Sequence, residues 1–389
     1  MENLIPYIKL IILALACLVT GVCTLSRKWY VNLPVFLICI AGETFMAYLF
    51  FPAYALWPAC GSVAIFAFST AWEHLKPSGR KENKSPIRLP VISGVPYRHL
   101  EFYYYYSNFL VYGGAGSGKT KSIGKWLLEE YIRLGFAGFI YDFKDVDYTQ
   151  TAYNLTKKYG YPHKFYYVSF DKPERSYRFN PLKVVKDRTE LMQLMEDVLL
   201  ALLPKGEKQN EWVAGGLGIL RGVAFRFWDE FPEYCTLPHI MAFIMTASTR
   251  QLSIFLQQNL VAEMMAGAYL KAEGSEKTQA SYLSTLCNNL STISQNEEIA
   301  YILSGDDFDF NLIDPEDPKL FAISNNFSKN SVYAPVIGML MSISTRQFTM
   351  QNKVPFVYFL DEMTTVNIKN FESLPSVLRE YKVGFVLLT

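Results

Sequence analysis

Metal-binding and disulfide patterns are what this 389-residue chain most clearly lacks. Its six cysteines include no C-x-x-C pair, and its four histidines are scattered without zinc spacing. Cys17, Cys23, Cys39 and Cys60 fall in an apolar region while Cys235 and Cys287 stand alone. Reduced or lipid-buried thiols are the expectation. Excess charge of either sign is also missing. The net charge is +1, so the chain as a whole is no polyelectrolyte partner for nucleic acid, and any such contact must come from local features.

Charge is scarce above all at the start. Residues 1–72 carry five charges (Glu2, Lys9, Arg27, Lys28, Glu43), whereas the remainder reads as an ordinary globular sequence. Three apolar stretches, about 4–25, 31–51 and 53–72, each approach the ~20 residues needed to cross a bilayer. Arg27 and Lys28 follow the first, and Lys76, Arg80, Lys81 and Lys84 follow the third. Placing both basic connections in the cytoplasm predicts three spans with the N-terminus outside. Two alternatives stand beside this: a cleaved signal peptide with a hairpin, and a two-span anchor with one interfacial segment. Glu43 is costly in lipid, and is expected to face another helix or subunit. The transmembrane anchor is therefore placed at 1–75, followed by a basic linker and domain entry at 76–107, suited to anionic headgroups.

Gly113, Gly114, Ala115, Gly116, Ser117, Gly118, Lys119 and Thr120 fit G-x-x-x-x-G-K-[ST]. A loop of this kind wraps backbone N–H groups around phosphate oxygens, which needs residues without Cβ clashes. Lys119 is expected to reach the β- and γ-phosphates of ATP and Thr120 to ligate Mg²⁺. The context agrees: 108–112 reads as a strand and 121–134 as a helix whose N-terminus points at the phosphates. By composition such a match arises by chance in about one chain in a hundred of this length.

A second metal carboxylate is supplied by the apolar run 354–360 ending in Asp361 and Glu362. Asp361 is expected to hold Mg²⁺ through its water shell, and Glu362 to polarise the attacking water. Strands are predicted at 137–141, 164–170, 319–324 and 383–389, alternating with helices. The first runs into Asp142-Phe-Lys-Asp145, whose acids read either as neighbours of the nucleotide or as solvated turn residues. Between the two nucleotide motifs the pattern is helical. Leu191, Leu194, Met195, Val198, Leu199 and Leu202 follow helical spacing, and Asp187 with Glu190 makes a capping-box pattern. Further helices are predicted at 211–228, 237–247, 251–270 and 278–303.

The predicted fold is α/β: N-terminal transmembrane helices, then a RecA-like P-loop ATPase domain with a mainly parallel sheet, interrupted by an all-α insertion. Its boundaries are 108–186 for the first part of the nucleotide-binding domain, 187–305 for the insertion and 306–389 for the second part. The apolar strand at Thr389 has no closing helix, so the domain reads as truncated.

The order of these features resembles the coupling proteins of conjugative type IV secretion systems, the TraG/TraD type. Besides the spans, the P-loop and Leu360-Asp-Glu362, it rests on Asp142-Phe-Lys-Asp145, Phe179-Asn-Pro-Leu182 and Ser304-Gly-Asp-Asp-Phe-Asp309. The chain departs from the family where members usually carry Asp-Pro-Lys-Gly-Glu, and in having three spans rather than two around a periplasmic loop. The resemblance implies a homo-hexameric motor at a bacterial inner membrane, with its catalytic domain in the cytoplasm. It would pass relaxase-bound single-stranded DNA or protein effectors to the secretion channel components. Arg346 and Arg379 are candidates by position for a trans-acting arginine. Other readings are another membrane-tethered DNA translocase, and an ATP-binding receptor that docks cargo without motor activity.

Overall fold

The computed structural model describes residues 29–50, 85–90, 99–114, 116–203, 210–272, 274–350, 352–368 and 370–389, with isolated positions 9, 52, 60 and 63 before them. The chain divides into two compact units, Met1–Lys84 and Ser85–Thr389. In the first, helix α1 spans Trp29–Phe50, and Glu43 within it is 5% exposed. The side chains of α1 are described only from Leu37 onward, and among the described residues no helix is long and apolar enough to cross a membrane. Apart from positions 9, 60 and 63, the predicted spans at 4–25 and 53–72 lie outside the described residues, as does much of the predicted linker.

The second unit is built on six parallel strands, β3 (Phe109–Val111), β4 (Ala137–Asp142), β5 (Lys164–Ser169), β6 (Lys319–Ser324), β7 (Phe356–Leu360) and β8 (Val383–Leu388), in the order β3-β8-β7-β4-β6-β5. A small antiparallel pair, β1 (Ile87–Pro90) and β2 (His99–Phe102), precedes them. The six parallel strands are the six read from the sequence. Their side chains alternate between faces with the period of two that a strand imposes. Phe139, Tyr141, Phe356, Tyr358 and Phe385 enter one core, and Ile140, Val357, Phe359 and Val386 the other. Helices α2 (Lys125–Arg133) and α3 (Asp147–Tyr159) cover the second face through Leu127, Leu128, Tyr131, Tyr148 and Ala152. The first face packs on α12 (Asn330–Thr345) and on the all-α insertion.

That insertion runs through α4 (Arg188–Leu202), α5 (Glu211–Glu230), α6 (Leu237–Thr246), α7 (Thr249–Gln257), α8 (Leu260–Met265), α9 (Gly267–Lys271), α10 (Glu276–Ser294) and α11 (Glu297–Leu303). Two predicted helices are thus broken. Asn259 accepts from the N–H groups of Val261 and Ala262, and Asn296 from that of Ile299, so each asparagine starts a new helix where apolar periodicity suggests continuity. The predicted capping box also differs. Asp187 Oδ1 accepts from the Glu190 N–H at 2.9 Å, but the Glu190 carboxylate reaches back to the N–H of Lys186, not of Asp187. The family-specific motifs close the neck of the insertion. Phe179 N–H donates to the Ile302 carbonyl at 2.8 Å and Asp307 N–H to the Arg178 carbonyl at 2.8 Å, pairing its entry with its exit.

Candidate nucleotide site

Strand register brings the site together. Leu110 lies beside Leu387, and Leu387 beside Leu360, so the strand before the glycine-rich loop and the strand before Asp361 end at one level, one strand apart. Tyr141 pairs in turn with Leu360. Every parallel strand therefore opens at the same edge, where ligands bind in open α/β sheets.

In the loop, Gly116 and Gly118 have φ of +76° and +85°, a region costly for any residue with a Cβ. A Cβ on Gly113 would meet Ser117 Oγ at 2.8 Å. Gly114 is open, Ser117 N–H donates to its carbonyl at 3.2 Å, and Ala115 lies outside the described residues. The chain leaves the loop through a π-turn, Thr120–Gly124, before α2, an irregularity often found at functional sites. Gly124 is required there, because a Cβ would collide with the Tyr148 hydroxyl.

Lys119 Nζ lies 3.6 Å from Glu362 Oε1, so the two predicted catalytic side chains, 243 positions apart in sequence, face each other. Asp361 is 2% exposed, and its Oδ2 has no hydrogen-bond partner among the described residues. Burial pushes its pKa up to about 6, with the Asp142 and Glu362 carboxylates adding to the rise and the Lys144 and Lys119 ammonium groups opposing it. A buried carboxylate oxygen without a partner, next to a cradle of left-handed glycines, fits a divalent cation held with a phosphate chain. Thr120 and Asp361 would hold Mg²⁺, and residues 113–120 the phosphates of ATP. Glu362 itself has φ +47°, ψ +53°, unusual for a residue with a side chain.

Asp142, the last residue of β4, and Asp145 just beyond it do not join this set. The Asp142 carboxylate is buried and accepts from the Thr149 N–H at 2.8 Å and hydroxyl at 2.9 Å, which pins the first turn of α3. Its pKa is raised by burial, against those hydrogen bonds. Asp145 pairs at the surface with Lys172, 3.0 Å away. The lysine between them, part of the aspartate–lysine motif but given no role by the sequence, is the one that approaches the site: Lys144 Nζ stands 3.5 Å from Thr120 Oγ1. Its only sequence signal is its place between the two aspartates. Arg346 and Arg379 do not reach the site of their own chain. Arg346 ends α12, at the opposite edge of the sheet, and is held by Asp197 and Gln193; Arg379 precedes the start of β8.

A family model described as type IV secretory system conjugative DNA transfer matches residues 76–389. No curated protein sequence matches. Among solved structures, the bacterial conjugative coupling protein TrwBΔN70 with sulphate aligns with a TM-score of 0.58 at 17% identity, over 78% of this chain and 68% of that one. TrwB with the GTP analogue GDPNP gives 0.56 at 18%, covering 73% and 64%. TrwB with ADP and Mg²⁺ gives 0.55 at 17%, also covering 73% and 64%. This chain spans about two thirds of the length of those structures, and at such identity the likeness establishes the fold. The family match covers most of the chain: it belongs to the type IV secretory conjugative DNA transfer family.

Proposed function

We propose that the chain is the nucleotide-driven coupling component of a conjugative type IV secretion system, a P-loop ATPase that delivers relaxase-bound single-stranded DNA or protein effectors to the channel. The observation that carries the reading is the meeting of Lys119 with Glu362 beside the unpartnered Asp361 oxygen, at the edge where the glycine loop opens. The ADP–Mg²⁺ complex of TrwB, which shares this fold, supports ATP and Mg²⁺ as the ligands.

In this reading the loop amides and Lys119 bind the β- and γ-phosphates, and Thr120 and Asp361 place the metal, which supplies charge neutralisation when bound. The Glu362 carboxylate, released from Lys119 as phosphate takes that ammonium, orients the attacking water and accepts its proton. The anchor of apolar segments at 1–75 holds the protein in a bacterial inner membrane, with the catalytic unit in the cytoplasm. Assembly is as a homo-hexamer, and the helical insertion recruits cargo.

The test is Glu362→Gln in the full chain. The amide keeps the shape and removes the base, so the variant should bind ATP with wild-type affinity, turn it over at least about a hundredfold more slowly and fail in conjugative transfer. Transfer at the wild-type rate would instead favour a docking receptor that uses ATP only to hold shape.

A further inference from the structure

We infer that Asn325, Tyr141 and Thr365 form a directed hydrogen-bond relay that fixes the backbone of Glu362 and thereby aims its carboxylate. This rests on the hydrolytic role of Glu362 proposed above. The three are positioning residues: nothing places them against nucleotide.

The connections are short and run from the buried Asn325 and Tyr141 to the half-buried Thr365 and Glu362. Asn325 Nδ2 donates to the Tyr141 hydroxyl at 2.9 Å, Tyr141 Oη lies 2.7 Å from Thr365 Oγ1, and Thr365 Oγ1 donates to the Glu362 carbonyl at 2.7 Å. The Thr365 N–H donates to the same carbonyl at 2.9 Å. Counting protons fixes the direction. The one hydroxyl proton of Thr365 is committed to the Glu362 carbonyl, so at the middle link Tyr141 is the donor and Thr365 the acceptor. Tyr141 then accepts from Asn325. The second N–H of that amide goes to Asn330 Oδ1 at 2.7 Å, and its oxygen accepts from the Asn326 N–H at 2.8 Å. Asn325 is therefore satisfied in one orientation only. It is 2% exposed, and Tyr141 is fully buried.

Glu362 needs such support. Its left-handed backbone is strained for a residue with a side chain, and such a conformation persists only where its surroundings over-determine it. Two donors on one carbonyl do this at the residue whose side chain must point at the phosphates. Chains of hydrogen bonds in a buried setting also reinforce one another. The relay begins where β6 ends and α12 begins, since Asn325 follows Ser324 and bonds Asn330. The relay thus joins that junction to the catalytic glutamate without passing through the phosphate loop.

The experiment measures steady-state ATP turnover by the full chain in lipid, together with binding of a fluorescent ATP analogue and thermal melting, for Tyr141→Phe, Thr365→Val and Thr365→Ser. Loss of the Tyr141 or Thr365 hydroxyl should lower kcat about ten- to a hundredfold, with KM and analogue affinity within about twofold. Thr365→Ser, which keeps the hydroxyl, should restore most of the rate. Because both hydroxyls belong to one chain, the double variant Tyr141→Phe/Thr365→Val should be no slower than the worse single one. Tyr141→Phe with wild-type kcat beside an inactive Glu362→Gln would overturn the relay alone. Losses that multiply in the double variant, or that follow melting temperature and are not rescued by serine, would also overturn it. Wild-type protein whose turnover is indifferent to Glu362→Gln would overturn both this inference and the functional reading beneath it.

Discussion

Asp361 shows how one side chain's discomfort identifies its task. Folding buries the carboxyl and leaves one oxygen without a partner, so the folded state holds the proton up to about pH 6, against 3.8 for the free group. Below the lower value both states are protonated and the group costs nothing. As pH rises through about 6 the folded state must accept a buried charge, and stability is lost. In metal-free buffer Asp361→Asn should therefore melt higher than wild type at pH 8, with the gain gone by about pH 4. Thermal melting at the two pH values checks this, and Mg²⁺ with ATP should abolish the difference by giving the wild-type carboxylate its cation. Lys144 tests the same electrostatics from the other side. Its ammonium opposes the rise in the Asp361 pKa, so Lys144→Ala should move the pH midpoint of Mg²⁺-dependent ATP-analogue binding upward. An unchanged midpoint would separate Lys144 from the metal site.

At the scale of elements, local signals carried most of what was legible. The six strands were readable because a parallel sheet covered on both faces demands short, continuous apolar runs, and the glycine loop because its backbone geometry admits little else. Helix breaks within the insertion were less legible, since Asn259 and Asn296 interrupt apolar patterns that continue across them. Least legible was the relay. Tyr141 and Thr365 are 224 positions apart and Tyr141 and Asn325 184, and no local pattern joins them. The role of Lys144 was hidden for a related reason: its motif was legible, but the acids beside it carry the chemical reading, and Asp142 pins a helix while Asp145 pairs with a surface lysine. Asn180 makes the neck of the insertion testable. Its buried side chain donates to the Cys235 carbonyl at 2.7 Å and accepts from the Leu182 N–H at 3.0 Å. Asn180→Ala leaves both backbone groups unmatched and should cost about 2 kcal/mol, read by urea unfolding, while ATP-analogue affinity in the folded protein stays as in wild type.

Over the whole molecule, the nucleotide unit and the helical insertion share a core. Phe179, Phe308 and Phe310 pack against Phe321 of the sheet, with centroids 5.3–6.0 Å away, and against one another at the neck. The proposed function is hydrolysis of ATP at this site to drive a conjugative substrate. Its most direct test is ATP turnover by the full chain in lipid, with and without single-stranded DNA, against Lys119→Ala. Turnover should rise with DNA and disappear in the variant. No turnover from the assembled wild-type protein, or turnover that survives Lys119→Ala, would contradict it.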